Sequence, residues 1–237
     1  YEGLVRDGGK DMASIARRSS GSWTVTVKAK TGHSSGVFSP SAGFGANYEL
    51  ARILDEFRRE LREDKLTYNV GLVGGGTSAA LDEGKIRLSA TGKTNIIAET
   101  AVARGDLRAI DQAQIERTRE KMRAIVAKSL PGATATIGFD EDGYPPMAEK
   151  PGSRVLLGQL NAVNRDLGLA TMEPLDPLKR GAADISFVAQ DVEGGLNGLG
   201  PYSTGDHAPG ETVDIPSIWR QAKRAAILMS RLAAERR

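Results

Sequence analysis

The sequence predicts an α+β protein whose middle is a ferredoxin-like sandwich, an antiparallel sheet with two helices on one face. Three observations carry this. Segments 22–30, 67–73 and 133–139 alternate apolar and polar residues at strand spacing. Two longer stretches, 47–61 and 111–130, repeat apolar residues at the spacing of one helix face. The order from 22 to 140 is then β-α-β-β-α-β, the split-βαβ arrangement.

Taken in order, Trp23, Val25 and Val27 alternate with threonines in the first strand. A Gly/Ser-rich stretch from Gly32 to Gly45 follows. Leu50, Ile53, Leu54, Phe57 and Leu61 mark the first helix. Residues 67–73 read as strand, broken by Gly74-Gly75-Gly76. Segments 86–90 and 96–108 read as further strand. Asp111, with Gln114 three residues on, has the spacing of a capping box and starts the second helix. Its stripe is Ile115, Met122, Ile125, Val126 and Leu130, and Pro131-Gly132 stops it.

Beyond Gly143-Tyr144-Pro145-Pro146 the style changes. A helix is predicted over 153–167, with Val155, Leu156, Leu160, Val163 and Leu167 on one side. Residues 181–210 are glycine-rich with few strand signals. A closing helix begins near Pro216, its apolar side formed by Ile218, Trp219, Ala222, Ala226, Met229 and Leu232. Residues 1–20 and 147–237 have few strands of their own and are expected to belong to something larger.

Composition narrows the function. With 32 basic and 30 acidic residues the chain is nearly balanced, which gives nucleic acid or an acidic membrane surface no electrostatic hold. Aromatics are 5% and show no alternating pair on a strand, against an RNA-binding sheet. The absence of cysteine excludes disulfides and thiolate chemistry and leaves cytoplasm and periplasm equally open. No apolar run reaches membrane-spanning length. The glycine clusters lack Walker or dinucleotide-binding spacing, and no G-x-S-x-G elbow is present.

With only two histidines, any metal or acid–base reading is tightly constrained. His207 lies in GLGPYSTGDHAPGE beside Asp206 and Glu211, a setting that suits a metal ligand or a solvated loop histidine. His33 follows the first strand between Gly32 and Gly36, either to reach a ligand or to cap a turn.

Five segments together resemble, in order, the family of dinuclear zinc hydrolases that includes carboxypeptidase G, succinyl-diaminopimelate desuccinylase, acetylornithine deacetylase and peptidase T. They are Tyr1-Glu2, TVTVKAKTGHSSG (24–36), GKTNIIAETAVARGDLR (92–108), RGAADISFVA (180–189) and GLGPYSTGDHAPGETVDIPSI (198–218). The resemblance implies three regions: 1–20 closing the N-terminal part of an α/β catalytic domain, 21–141 a dimerisation lid, and 142–237 the C-terminal part of the catalytic domain. It implies a homodimer formed through a helix and an edge strand of the lid.

The same resemblance implies hydrolysis of an amide bond in a peptide or N-acyl amino acid by water activated between two zinc ions, with cobalt or manganese as substitutes. Glu2 and His207 would each be a metal ligand. His33 would be the catalytic lid histidine, reaching the partner subunit's site. Asn95 and Arg108 would bind substrate, and Asp184 and Glu211 would support the ligand loops. Two departures stand out. The family's upstream His-x-Asp pair, bridging aspartate and Glu-Glu pair have no counterpart here, so these residues alone are expected to be inactive. Either a longer parent supplies them, or the chain is a non-catalytic dimerisation or binding fragment. Ala182-Ala183 and GHSSG also depart from the commoner glycine-rich and H-A-G forms.

Overall fold

The computed structural model describes residues 2–206 and 208–235. The chain divides into two compact units: a split unit, Tyr1–Ser19 with Tyr144–Arg237, and an inserted unit, Ser20–Gly143.

The split unit opens with strands β1 (Val5–Asp7) and β2 (Lys10–Ala13), joined by Gly8-Gly9. Both glycines take positive φ, 56° and 79°, as a tight two-residue hairpin requires. This hairpin carries little apolar alternation and is absent from the sequence reading.

The inserted unit begins with β3 (Gly21–Ala29), followed by α1 (Ala46–Glu60) and β4 (Thr67–Gly76). A hairpin, β5 (Ser78–Leu81) and β6 (Leu88–Thr91), precedes β7 (Thr100–Arg108). Then come α2 (Gln112–Ala127) and β8 (Ala133–Phe139). The sheet order is β4-β7-β3-β8, with every neighbouring pair antiparallel. This is the ferredoxin-like order, and the predicted α+β class holds.

Alternation explains the core. Trp23, Val25 and Val27 of β3 pair with Gly105, Ala103 and Ala101 of β7, so their side chains share the face that α1 covers. Leu50, Ile53 and Phe57 from α1 and Met122, Ile125 and Val126 from α2 complete the cluster. Phe57 meets the Trp23 ring edge-on at 5.6 Å. The Asp111 carboxylate caps α2 by accepting from Gln114 N–H at 2.7 Å. The reciprocal bond of the capping box moves one residue back: Gln114 Oε1 accepts from Ile110 N–H at 3.0 Å.

Two strand predictions in this unit are corrected. The glycine run 74–76 does not break β4, which continues through it. A Cβ on Gly75 would stand 2.0 Å from Asn47 Oδ1 and 2.7 Å from Ala101 Cβ, so close packing, not a turn, selects glycine there. The expected strands 86–90 and 96–108 begin later, at Leu88 and Thr100. Pairing of β6 with the unforeseen β5 builds a hairpin that packs on β4 and β7 and buries Val102.

The split unit resumes with α3 (Pro151–Asp166) and β9 (Glu173–Pro174), which pairs parallel with β2. A small hairpin, β10 (Ser203–Thr204) and β11 (Thr212–Val213), precedes α4 (Ile215–Glu235). Leu4, Ile15, Leu157, Leu160, Val163 and Leu228 form its apolar core.

The predicted face of α3 is corrected in part and that of α4 more widely. In α3, Leu160 and Val163 are buried as expected, but Leu157 is buried where Val155, 61% exposed, was expected. In α4 the buried side is Ser217, Gln221, Arg224, Ala225 and Leu228, and Trp219 of the predicted stripe is 69% exposed. Hydrogen bonding orients this helix. Gln221 Nε2 donates to the carbonyls of Gly198 and Gly200 at 3.0 and 2.9 Å. Arg224 donates to Asn164 Oδ1 and Asp11 Oδ2, each at 2.7 Å. Polar groups with such partners can be buried without the penalty of an unmade bond.

Candidate functional site

In the split unit, residues far apart in sequence line one cleft of roughly 640 Å³. Glu2 comes from the segment before β1, Asp184 from a single 3₁₀ turn (Asp184–Phe187), and Asp206 and Glu211 from the β10–β11 hairpin. Three of the sequence candidates, Glu2, Asp184 and Glu211, are thereby brought together. His207 lies outside the described residues.

Two arginines set the electrostatics. Arg180 Nη2 donates to Gly3 O at 2.7 Å and lies 3.6 Å from Glu2 Oε2. Arg17 is fully buried, donating to Gly181 O at 2.9 Å and to Asn197 Oδ1 at 2.7 Å. Its Nη2 stands 3.8 Å from Glu2 Oε2. Burial and the neighbouring Arg180 push the Arg17 guanidinium down to about 10, against the opposing pull of Glu2. The Glu2 carboxyl thus faces two guanidinium groups. The Tyr144 hydroxyl donates to Asp184 Oδ1 at 3.3 Å, and the negative charge of Asp184 raises its pKa. Ser203 Oγ donates to Asp206 Oδ1 at 2.7 Å and ties that carboxylate to its hairpin.

Arg180 and Arg17 escaped the sequence reading. Arg180 opens the RGAADISFVA segment (180–189), so its position is a usable signal. Arg17 offered none, because an arginine beside Ile15 and Ala16 reads as an exposed strand position.

In the inserted unit, His33 and Asn95 sit together. Ser34 N–H donates to Asn95 O at 2.9 Å, and His33 bridges to Ile96. His33 caps a 3₁₀ turn (Ser34–Gly36): its Nδ1 accepts from Ser35 N–H at 3.2 Å and lies 2.8 Å from Ser35 Oγ. An accepting Nδ1 puts the proton of the neutral ring on Nε2. Both side chains are exposed.

Arg108 is not with them. It ends β7, where the chain enters and leaves this unit, and its Nε donates to Asp106 Oδ2 at 2.8 Å. From Thr100 to Arg108 the strand covers about 26 Å at ~3.3 Å per residue. His33 and Asn95 therefore occupy one end of the sheet and Arg108 the other.

A model of the peptidase dimerisation domain of the M20 family matches residues 15–134, just over half of the 237. The chain belongs to the M20 peptidase and amidohydrolase superfamily. Solved structures share its fold. The aminopeptidase PepT from Bacillus cereus ATCC 10987 is 17% identical with a TM-score of 0.70, over 97% of this chain and 56% of that one. A tripeptidase from Staphylococcus aureus subsp. aureus Mu50 is 16% identical with a TM-score of 0.65, over 92% and 52%. A hydantoinase/carbamoylase family amidase from Burkholderia phymatum is 16% identical with a TM-score of 0.57, over 98% and 54%. The M20 chain thus spans about half the length of these structures. No curated protein sequence matches it.

The M20 relationship links the chain to metal-dependent amidohydrolases, and its own donors can be compared with that. Among the described residues, no group of three or more His, Asp or Glu side chains could hold a metal ion. Glu2 is moreover engaged by cations. A zinc ion generally takes three or four protein ligands, so the described residues do not by themselves fit a dinuclear zinc site. Among them, no helix is long and apolar enough to cross a membrane.

Proposed function

We propose that this chain forms part of an amide hydrolase acting on a peptide or N-acyl amino acid, in a longer parent that holds two zinc ions. The observation that supports this most is the convergence of Glu2, Asp184 and Glu211 on one cleft with Arg180 at its wall. Glu2 and His207 would each contribute one metal donor, and the rest would lie beyond these residues.

What this chain's own groups would do follows from their chemistry. Arg180 presents a planar fork suited to a substrate carboxylate. The Nε2–H of His33 would donate to the oxyanion that develops as water adds to the amide carbonyl. Asn95, adjacent to it, would hold the same carbonyl region, and Arg108 would take a second anionic group of the substrate. Because His33 and Arg108 stand at opposite ends of one sheet, a site that uses both would draw them from two copies.

Membership of a family defined by a dimerisation domain supports a homodimer. The proposed contact is edge strand β4 with α1. Val70 and Val73 are exposed along that edge, and a groove between α1 and β4 is lined by Leu54, Phe57, Leu66 and Tyr68. The same family match favours a second reading, a dimerisation module without catalysis of its own.

The test is His33→Ala in the full-length protein. Loss of one oxyanion donor should lower kcat by about 10²–10³-fold with zinc content and dimer mass unchanged. His207→Ala should lose both zinc and activity. Normal turnover by His33→Ala overturns its role. A zinc-free dimer that hydrolyses no acyl-amino acid or peptide leaves the dimerisation module as the function.

A further inference from the structure

A second cleft of the split unit shares no lining residue with the Glu2 cleft. It measures roughly 570 Å³ and is walled by the β1–β2 hairpin, the α3–β9 loop and α4. Its charged groups are Arg6, Lys10, Arg220 and Arg224 against Asp11 and Glu173, four cations to two carboxylates.

One carboxylate serves three guanidinium groups. Asp11 lies 3.0 Å from Arg6 Nε, 2.7 Å from Arg224 Nη1 and 3.4 Å from Arg220 Nε. Arg6 also reaches Asp214 at 3.1 Å, and Arg224 reaches Asn164 and Gln221. Arg220 is left short. Its Nε and Nη2 are buried, with no hydrogen-bond partner among the described residues. Asp11 holds Arg220 only at ion-pair distance while sharing its charge with two closer guanidinium groups, and the Arg220 side chain is 25% exposed at the cleft, so positive charge there is not fully matched.

Arg220 also belongs to an adjoining groove with Leu167, Leu169, Pro216 and Trp219. Leu169 lines both spaces, so a cationic pocket runs into an apolar ledge. Trp219 is 69% exposed there.

We propose that this cleft binds a small organic carboxylate, its oxyanion on Arg220 with Lys10 and Arg6 beside it, and its apolar end against Leu169 and Trp219. A guanidinium fork matches a carboxylate in shape and charge. The apolar ledge distinguishes such a ligand from an inorganic anion.

The experiment is titration of the intact chain with 3-phenylpropionate, read by tryptophan fluorescence. The only other tryptophan, Trp23, is fully buried in the inserted unit, so a change reports Trp219. The expected result is a saturable change in the native chain, weakened about tenfold or more in Arg220→Gln, as removal of a charge-assisted bond implies. Trp219→Phe should lose the signal but keep the ligand-induced rise in Tm. Lys10→Gln, at the exposed start of β2, provides a second variant if Arg220→Gln melts early, and should weaken binding several-fold. Inorganic phosphate should bind more weakly than 3-phenylpropionate. Equal binding of phosphate overturns the organic assignment. No saturation, unchanged affinity in both Arg220→Gln and Lys10→Gln, or loss of binding in Arg180→Gln instead, overturns the site.

Discussion

The inserted unit and the split unit bury different chemistry. In the first, Trp23, Ile53, Phe57, Leu61 and Met122 are fully buried around one apolar cluster. In the second, Arg17, Asn164, Gln221 and Arg224 are as deeply buried as Ile15 and Leu160. An apolar core is non-directional and tolerates small shifts, whereas a buried guanidinium is stable only while each partner stays in place. The inserted unit, whose one fully buried charge among the described residues is Glu49 held by Arg52, can therefore largely be read from hydropathy, whereas the buried side of α4 in the split unit follows from its hydrogen-bond partners.

The largest expected effects test this contrast directly. Arg224→Ala leaves Asn164 Oδ1 and Gln221 Oε1 without this donor and removes the shortest of the three contacts of Asp11, and should cost about 3 kcal/mol, near the lower end for breaking a buried ion pair. Phe57→Ala should cost a similar ~3–5 kcal/mol through its cavity. Urea unfolding at two pH values separates them. Burial pushes the Asp11 carboxyl up, but hydrogen bonds from Arg224 and Arg6 outweigh it and hold the pKa low. Stability from such a group is present above the unfolded pKa and lost as pH falls through the folded one. The Arg224→Ala penalty should therefore shrink in acid while that of Phe57→Ala persists. A penalty that ignores pH would break the contrast.

A smaller effect belongs to the inserted unit. Hydrogen bonds from Arg117 and Lys121 draw the Glu63 carboxyl down to about 2, so its contribution should be full above the unfolded value near ~4.3 and fade toward pH 2. Glu63→Gln should flatten the acid limb of this unit's unfolding curve over that window, measured by circular dichroism. Smallest of all is Asp55→Asn. Asp55 pairs with Arg58 and Arg59 on the exposed side of α1, where solvent screens the charges, and its loss should leave Tm unchanged within error.

Legibility in the sequence follows the same division. The helix α1 and strands β3 and β8 were readable because their apolar residues touch the core at the period of their own geometry. Strand β4 was shortened by one residue type, since glycines chosen for close approach look like glycines chosen for turns. At the site, Glu2, Asp184 and Glu211 were reached through resemblance of short motifs, not through periodicity. Arg17 was invisible, because nothing local distinguishes a buried arginine from a surface one. Arg108 and His33 were both named, but their separation along β7 needed the register of the sheet.

The sequence by itself determined the α+β class, the order of the ferredoxin-like elements and the residue types able to do chemistry, because local pattern and composition are properties of neighbours along the chain. The tertiary structure decided which side of α4 is buried, which carboxylates share a cleft with Arg180, and which arginines share Asp11. Each of those depends on partners scores of residues apart, as Asp11 is from Arg224, and the energy of a buried polar group resides in its partner.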